Sequence, residues 1–245
     1  MAEGPRGRLV GDRLPGPGGP ATVAIGATVR AAAARQAAGG RPAVVADDVR
    51  EAVREQRRGN LVVLAVDTSG SMGAATRMEA AKGAVLGLLV DAYQRRDRVA
   101  LVTFRDQDAE IVVRPTASVE VARARLSDLS TGGRTPLGAG LVAALEAATS
   151  ETARTHPPLI VIVTDGRATA APGGLDPWEA VRVAADAIRR RRIPVVVVDV
   201  EEGPTRLGLA TELAEATGGR VLTLAELTGP SLVTAVRQAQ QWTTG

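Results

Sequence analysis

The sequence predicts a three-layer α/β domain built on a mostly parallel six-stranded sheet with one antiparallel edge strand. Three observations carry that expectation. Apolar runs such as 61–66 (Leu-Val-Val-Leu-Ala-Val) and 159–163 (Leu-Ile-Val-Ile-Val) are short, unbroken and rich in β-branched residues, the pattern of strands covered on both faces. Segments with apolar residues at helical spacing alternate with these runs, as connections between parallel strands require. Two of the runs end in clusters of oxygen-bearing side chains, Asp67-Thr68-Ser69-Gly70-Ser71 and Thr164-Asp165-Gly166. The carboxyl ends of strands are where open α/β sheets bind ligands.

Residues 1–20 contain Gly-Pro-Gly-Gly-Pro and scattered Arg, too little apolar content to offset ordering entropy, and are expected to be a disordered tail. Residues 21–58 hold two short elements, 29–36 and 44–57, around Ala38-Gly39-Gly40-Arg41-Pro42. They are expected to pack on the main domain or a partner. The main domain spans 59–245. After the strand at 61–66, a helix over 77–94 places Met78, Ala81, Val85, Leu88, Leu89 and Ala92 on one stripe. Residues 98–104 and 109–113 read as strands joined by the polar turn 105–108, hence an antiparallel hairpin at a sheet edge. Ser118 is a fitting N-cap for a helix over 118–126, and another helix covers 137–154. After the strand at 159–163, Asp176-Pro177 opens a helix reaching 192, with Pro at its first position. Strands at 194–200 and 220–224 and helices at 207–216 and 231–241 complete the alternation.

Composition removes several function classes. The chain of 245 residues is 45% hydrophobic, enough for a large core, but only 2% aromatic, which argues against stacking on bases or sugars. Net charge is +3, and Lys82 is the sole lysine among 30 basic residues; no basic stripe pairs with aromatics, so no nucleic-acid partner is expected. Zero cysteines exclude disulfides, thiolate metal sites and cysteine nucleophiles. No secretory leader pattern or membrane-length apolar run occurs, and a cytoplasmic protein is expected.

Three segments reach one sheet edge: 67–71, 132–136 (Gly-Gly-Arg-Thr-Pro) and 164–166. They offer two carboxylates, Asp67 and Asp165, and three hydroxyls, Ser69, Ser71 and Thr135. Such hard oxygens suit Mg²⁺ or a similar divalent ion, which accepts about six oxygens and keeps waters readily. Neutral hydroxyl ligands leave much of the ion's charge unquenched, so the site is expected to attract an acidic residue of a partner. The competing interpretation of Asp67, Ser69 and Ser71 is an Asx turn whose hydroxyls cap the next helix. It does not explain why Thr135 and Asp165 recur at the same edge.

Asp-x-Ser-x-Ser, a distal Thr and a further Asp resemble the metal-ion-dependent adhesion site of a von Willebrand factor type A domain. The resemblance implies a Rossmann-like αβα fold and places Asp67, Ser69, Ser71, Thr135 and Asp165 in the metal site. A narrower resemblance, from about residue 21 to 241, is to the C-terminal part of the D subunit of magnesium chelatase and its cobalt-chelatase relatives. It is carried by Arg77-Met78-Glu79-Ala80-Ala81-Lys82-Gly83-Ala84-Val85, the stretch 91–101, Gly132-Gly133-Arg134-Thr135-Pro136-Leu137 and Thr164-Asp165-Gly166-Arg167-Ala168. Thr28-Val29-Arg30-Ala31-Ala32-Ala33 and Asp47-Asp48-Val49-Arg50 fit it too.

That resemblance implies a module without catalysis of its own. Its partners would be an I-type AAA+ ATPase subunit and the large chelatase subunit, coupled to metal insertion into a tetrapyrrole. The ATPase-like domain and acidic proline-rich linker usual in D subunits do not occur in this sequence, and no Gly-x-x-x-x-Gly-Lys-[Ser/Thr] loop is present. The chain is thus expected to be a fragment, a split subunit or a free-standing relative. The alternative is a general type A binding protein paired with a different ring ATPase. An aspartyl-phosphate hydrolase would need Asp-x-Asp, and Ser69 stands at the second acidic position. Trp178 and Trp242 are expected to be packing or partner-facing residues, the run Arg189–Arg192 a solvated helix end and His156 an ordinary residue of a connection, and Asp128, Asp199, Glu201 and Glu202 loop and surface charges.

Overall fold

The computed structural model of the chain describes residues 2–37, 39, 43–56, 59–73, 75–201 and 207–223. The chain divides into two compact units, Met1–Arg58 and Gly59–Gly245. In the first, strand β1 (Ala2–Arg13), helix α1 (Ile25–Ala37) and strand β2 (Glu51–Gln56) are the regular elements. β1 pairs antiparallel with β2, so the expected tail over 1–20 is corrected: most of it is strand. Backbone pairing and a bridge from Arg13 Nε to Glu51 Oε2 (3.1 Å) hold the pair, and neither leaves a hydrophobic signature in sequence. Arg35 binds the Asp48 carboxylate (Nη2–Oδ2 2.8 Å) and, as its hydrogen-bond donor, holds that carboxyl below its ordinary pKa.

The second unit begins with β3 (Leu61–Asp67), buried at every residue. There follow α2 (Ala75–Arg95), β4 (Arg98–Arg105), β5 (Asp108–Thr116), α3 (Val119–Ser127), α4 (Leu137–Ala148), β6 (Pro158–Thr164), α5 (Pro177–Arg190), β7 (Val195–Asp199), α6 (Leu209–Thr217) and β8 (Arg220–Thr223). The six strands lie in the order β5-β4-β3-β6-β7-β8, all parallel except the β4–β5 hairpin at the edge. Alternate side chains of β3 face opposite layers. Val62, Leu64 and Val66 pack with Ala81, Val85, Leu88 and Leu89 of α2 and with Ala122 and Leu126 of α3. Leu61, Val63 and Ala65 pack with Leu141 and Ala144 of α4, Ile188 of α5 and Leu213 of α6. Each Val, Leu or Ile so buried contributes about 1.5–3 kcal/mol.

The helix starts follow their expected chemistry. Ser118 accepts from Val121 N (3.4 Å), and Asp176 accepts from Glu179 N (2.8 Å) with Pro177 in the first turn. The helix expected over 137–154 is shorter: α4 stops at Ala148, where the Thr149 hydroxyl bonds back to Leu145 O (2.8 Å), and a separate 3₁₀ turn covers Glu151–Arg154. The expected helix at 231–241 and Trp242 lie outside the described residues. At the amino edge of the sheet, Asp97 accepts from Asn60 N (2.7 Å) and joins the entries of β3 and β4; burial raises its carboxyl pKa. Among the described residues no helix is long and apolar enough to cross a membrane.

Candidate metal centre

The parallel register sets the site before any loop is considered. Val66 lies beside Val163, so the next residues, Asp67 and Thr164, are neighbours on the same face of adjacent strands. Thr164 Oγ1 donates to Asp67 Oδ2 (2.8 Å) and accepts from Gly166 N (3.0 Å). Asp67 Oδ1 accepts from Ser69 N (2.9 Å). The Asx turn weighed as a competing interpretation is therefore present, and it fixes the direction of the Asp67 carboxylate. The Ser69 and Ser71 hydroxyls lie 2.9 Å apart, hydrogen-bonded to each other.

The second loop is stitched to the first by its backbone. Gly70 N donates to Gly133 O (2.9 Å) and Gly132 N to Thr68 O (3.0 Å). Gly133 has φ of 75°, a left-handed conformation that favours glycine, and the exposed Asp106 carboxylate lies over the place a Cβ would take. Thr135, buried, is held from the other side: its N donates to Thr169 Oγ1 (2.8 Å), and its carbonyl accepts from Thr169 N (3.0 Å) and Ala170 N (3.2 Å). The third segment places Asp165, also buried, with Oδ1 accepting from Arg167 N (3.1 Å) and Oδ2 3.4 Å from Arg167 Nε.

The fold thus gathers all three loops at one edge. Asp67, Ser69, Thr135, Thr164 and Asp165 are buried, and Ser71 is half-buried. Burial, helped by the nearby Asp165 charge, pushes the Asp67 carboxyl up to about 6 against the lowering effect of the Ser69 and Thr164 hydrogen bonds. A carboxylate held in this way is short of positive charge. Among the described residues no three His, Cys, Asp or Glu side chains converge. The candidate centre rests instead on two carboxylates and neutral hydroxyls, donor types that fit a hard divalent cation such as Mg²⁺.

Three supporting residues are absent from the sequence-based ligand set. Thr164 was legible, since it ends a strand one residue before Asp165. Thr169 and Arg167 carry no local signal, because their role depends on the loop's return path. Asp199 departs from the expected surface charge: it ends β7 beside Thr164, is buried, and accepts from Glu201 N (2.8 Å) to close the following turn. His156 lies in a connection, with Nδ1 2.9 Å from Thr155 Oγ1.

The sheet order, with its single antiparallel edge strand, and the loops gathered at its carboxyl edge define a von Willebrand factor type A domain. Residues 62–167 match the model of that domain, and the chain belongs to this family. Within it, the chain is 34% identical over 251 residues to the magnesium-chelatase 67 kDa subunit of Heliobacterium mobile, a match covering 95% of this chain and 37% of that subunit. It is 50% identical over 193 residues to an uncharacterized protein of Mycobacterium tuberculosis, covering 78% of this chain and 30% of the relative. The chain spans about a third of the length of these two curated relatives. The vWF domain of the type V pili tip protein Mfa5 from Porphyromonas gingivalis superposes with a TM-score of 0.55 at 13% identity, over 76% of this chain and 96% of that domain. That likeness is one of fold alone.

Proposed function

We propose that this chain is an adhesion-type binding module in which Asp67, Ser69, Ser71, Thr135 and Asp165 hold a divalent cation, Mg²⁺ by donor type. The carrying observation is the buried Asp67 carboxylate, fixed by Ser69 N and Thr164 Oγ1 yet raised to about 6 beside a second buried carboxylate. Bound there, the cation would supply an oxygen-seeking charge for an acidic residue of a partner. The chain's own part is positional. Ser69 and Thr164 orient Asp67, the Gly132–Gly133 backbone seats the second loop against Thr68 and Gly70, and Thr169 holds Thr135 in place. No side chain in the cluster is arranged as nucleophile and base, which supports binding over catalysis.

The magnesium-chelatase relatives support a chelatase-type assembly; for it we propose a cytoplasmic setting, with an I-type AAA+ ATPase and a large subunit acting on a tetrapyrrole as the partners. In this reading the metal at Asp67 serves docking and is distinct from any ion being inserted. The test is co-purification of the candidate ATPase with the wild-type chain and with Asp67→Ala, with Mg²⁺ and with chelator. Recovery that needs both Asp67 and Mg²⁺ supports the reading, and equal recovery by both chains sinks it.

A further inference from the structure

A second feature lies between α4 and α5, outside the three loops. The two helices meet closely: a Cβ added to Gly138 would lie 2.9 Å from the Ala180 backbone and side chain. Beside that contact runs a groove of about 490 Å³ with a floor of glycine and alanine. Its walls are Val142, Leu175 and Val183, exposed at 57%, 57% and 68%, large aliphatic side chains left in water by this unit's described residues. Asp108, Glu146 and Glu179 line the same groove. Three carboxylates around an apolar trough stand out on a chain whose net charge is +3.

We propose that this groove docks a basic amphipathic helix of a protein partner, with its aliphatic stripe between Val142 and Val183 and its Lys or Arg residues against Asp108, Glu146 and Glu179. A helix suits the trough for three reasons. The backbone groups of α4 and α5, which form most of the lining, are bonded within their own helices, and only Asp108 and Ala109, at the start of the edge strand β5, bring strand backbone to the groove. The small floor residues allow a partner backbone to approach closely, and the valley between two packed helices accepts the ridge of a third. Charge sets the partner's sign, because aliphatic burial alone would not discriminate between a basic and an acidic helix. Of the arginines of α5, Arg189 and Arg190 pair with Asp186, further along the helix, and Arg182 lines a neighbouring hollow with Val183 and Asp186. The inference goes beyond the metal reading and does not depend on it.

The probe is a fluorescein-labelled 16-residue helical peptide of Leu, Ala and Lys, with Leu at i, i+3, i+4 and i+7 spacing, compared with its counterpart carrying Glu for Lys. Binding to the full chain is followed by fluorescence anisotropy and by backbone NMR shifts, in chelator, so that failure of the metal site leaves the result untouched. The expected result is at least tenfold tighter binding of the Lys peptide, with shifts concentrated on α4 and α5. Glu146→Lys and Val183→Asp should each weaken it at least tenfold, and Val90→Asp, on an exposed position of α2, should leave it unchanged. Both groove variants alter exposed positions, and Glu146 sits in the last turn of α4, where a cation is favourable, so folding should survive; circular dichroism checks it. Equal affinity for the two peptides, shifts on α2 and α3, or indifference to both groove substitutions would overturn the proposal. So would a concentration-dependent dimer of the chain that Val183→Asp abolishes, which would give the groove to a second copy.

Discussion

Asp67 is the residue on which the site's energetics turn. Unfolded, an aspartate releases its proton near pH 3.8; folded and without metal, Asp67 retains it to about 6. Between those values the folded state binds more protons than the unfolded, so stability falls as pH rises through roughly 4 to 6 and stays lower above. The contribution is about 2–3 kcal/mol at neutral pH. Asp67→Asn is therefore expected to raise the melting temperature in chelator at pH 7.5, with the gain shrinking toward pH 4, as measured by paired thermal melts. Saturating Mg²⁺, at a hundred times its Kd, should stabilise the wild type by about 2.7 kcal/mol and leave Asp67→Ala unmoved. Thr164→Val removes the donor to Asp67 and strands Gly166 N, at a cost of about 1–3 kcal/mol in urea unfolding, and Thr164→Ser should restore most of it. The oxygens of Asp67 and Asp165 were legible as strand-end side chains. The Thr169 contact to Thr135 was not, because it is 34 residues away in sequence and made by a loop with no periodicity.

At the scale of elements, hydrophobic period decided most of the outcome. The stripe expected on α2, from Met78 to Ala92, is the buried face, and the antiparallel hairpin falls at the sheet edge as the polar turn implied. Errors fall where local hydrogen bonding competes with period, as at the end of α4, where the Thr149 hydroxyl takes a helix carbonyl. Close approach is also invisible to period. Gly140 of α4 faces the Phe104 ring, whose nearest atom would lie 2.5 Å from an added Cβ. Gly140→Ala should therefore destabilise by about 1–3 kcal/mol despite alanine's better helix propensity, measured as a lower urea midpoint with unchanged slope. A stabilised Gly140→Ala would show that α4 can shift away from β4 at little cost.

For the whole molecule, the two units differ in what holds them. Among the residues of Met1–Arg58 whose burial is described, the buried apolar side chains are Ala24, Ala27 and Ala32, whereas β3 and β6 in the second unit are buried almost throughout. Amide exchange should accordingly be fastest in β1 and β2 and slowest in β3 and β6, read by native-state exchange mass spectrometry. If β1 exchanges as slowly as β3, the ion pairs of Arg13 and Arg35 hold more than their exposure suggests. By itself, the sequence determined the α/β class, the order of strands and helices from residue 61 to residue 223, and the residue types offered at the carboxyl edge. It could do so because burial on two faces writes itself into composition, and because strand ends are adjacent to their strands. Tertiary structure alone decided that Thr164 touches Asp67, that Thr169 anchors Thr135, that residues 2–13 pair with 51–56, and that α4 and α5 leave an acidic-rimmed groove. These depend on register and on the packing of segments far apart in the chain, which no local pattern encodes.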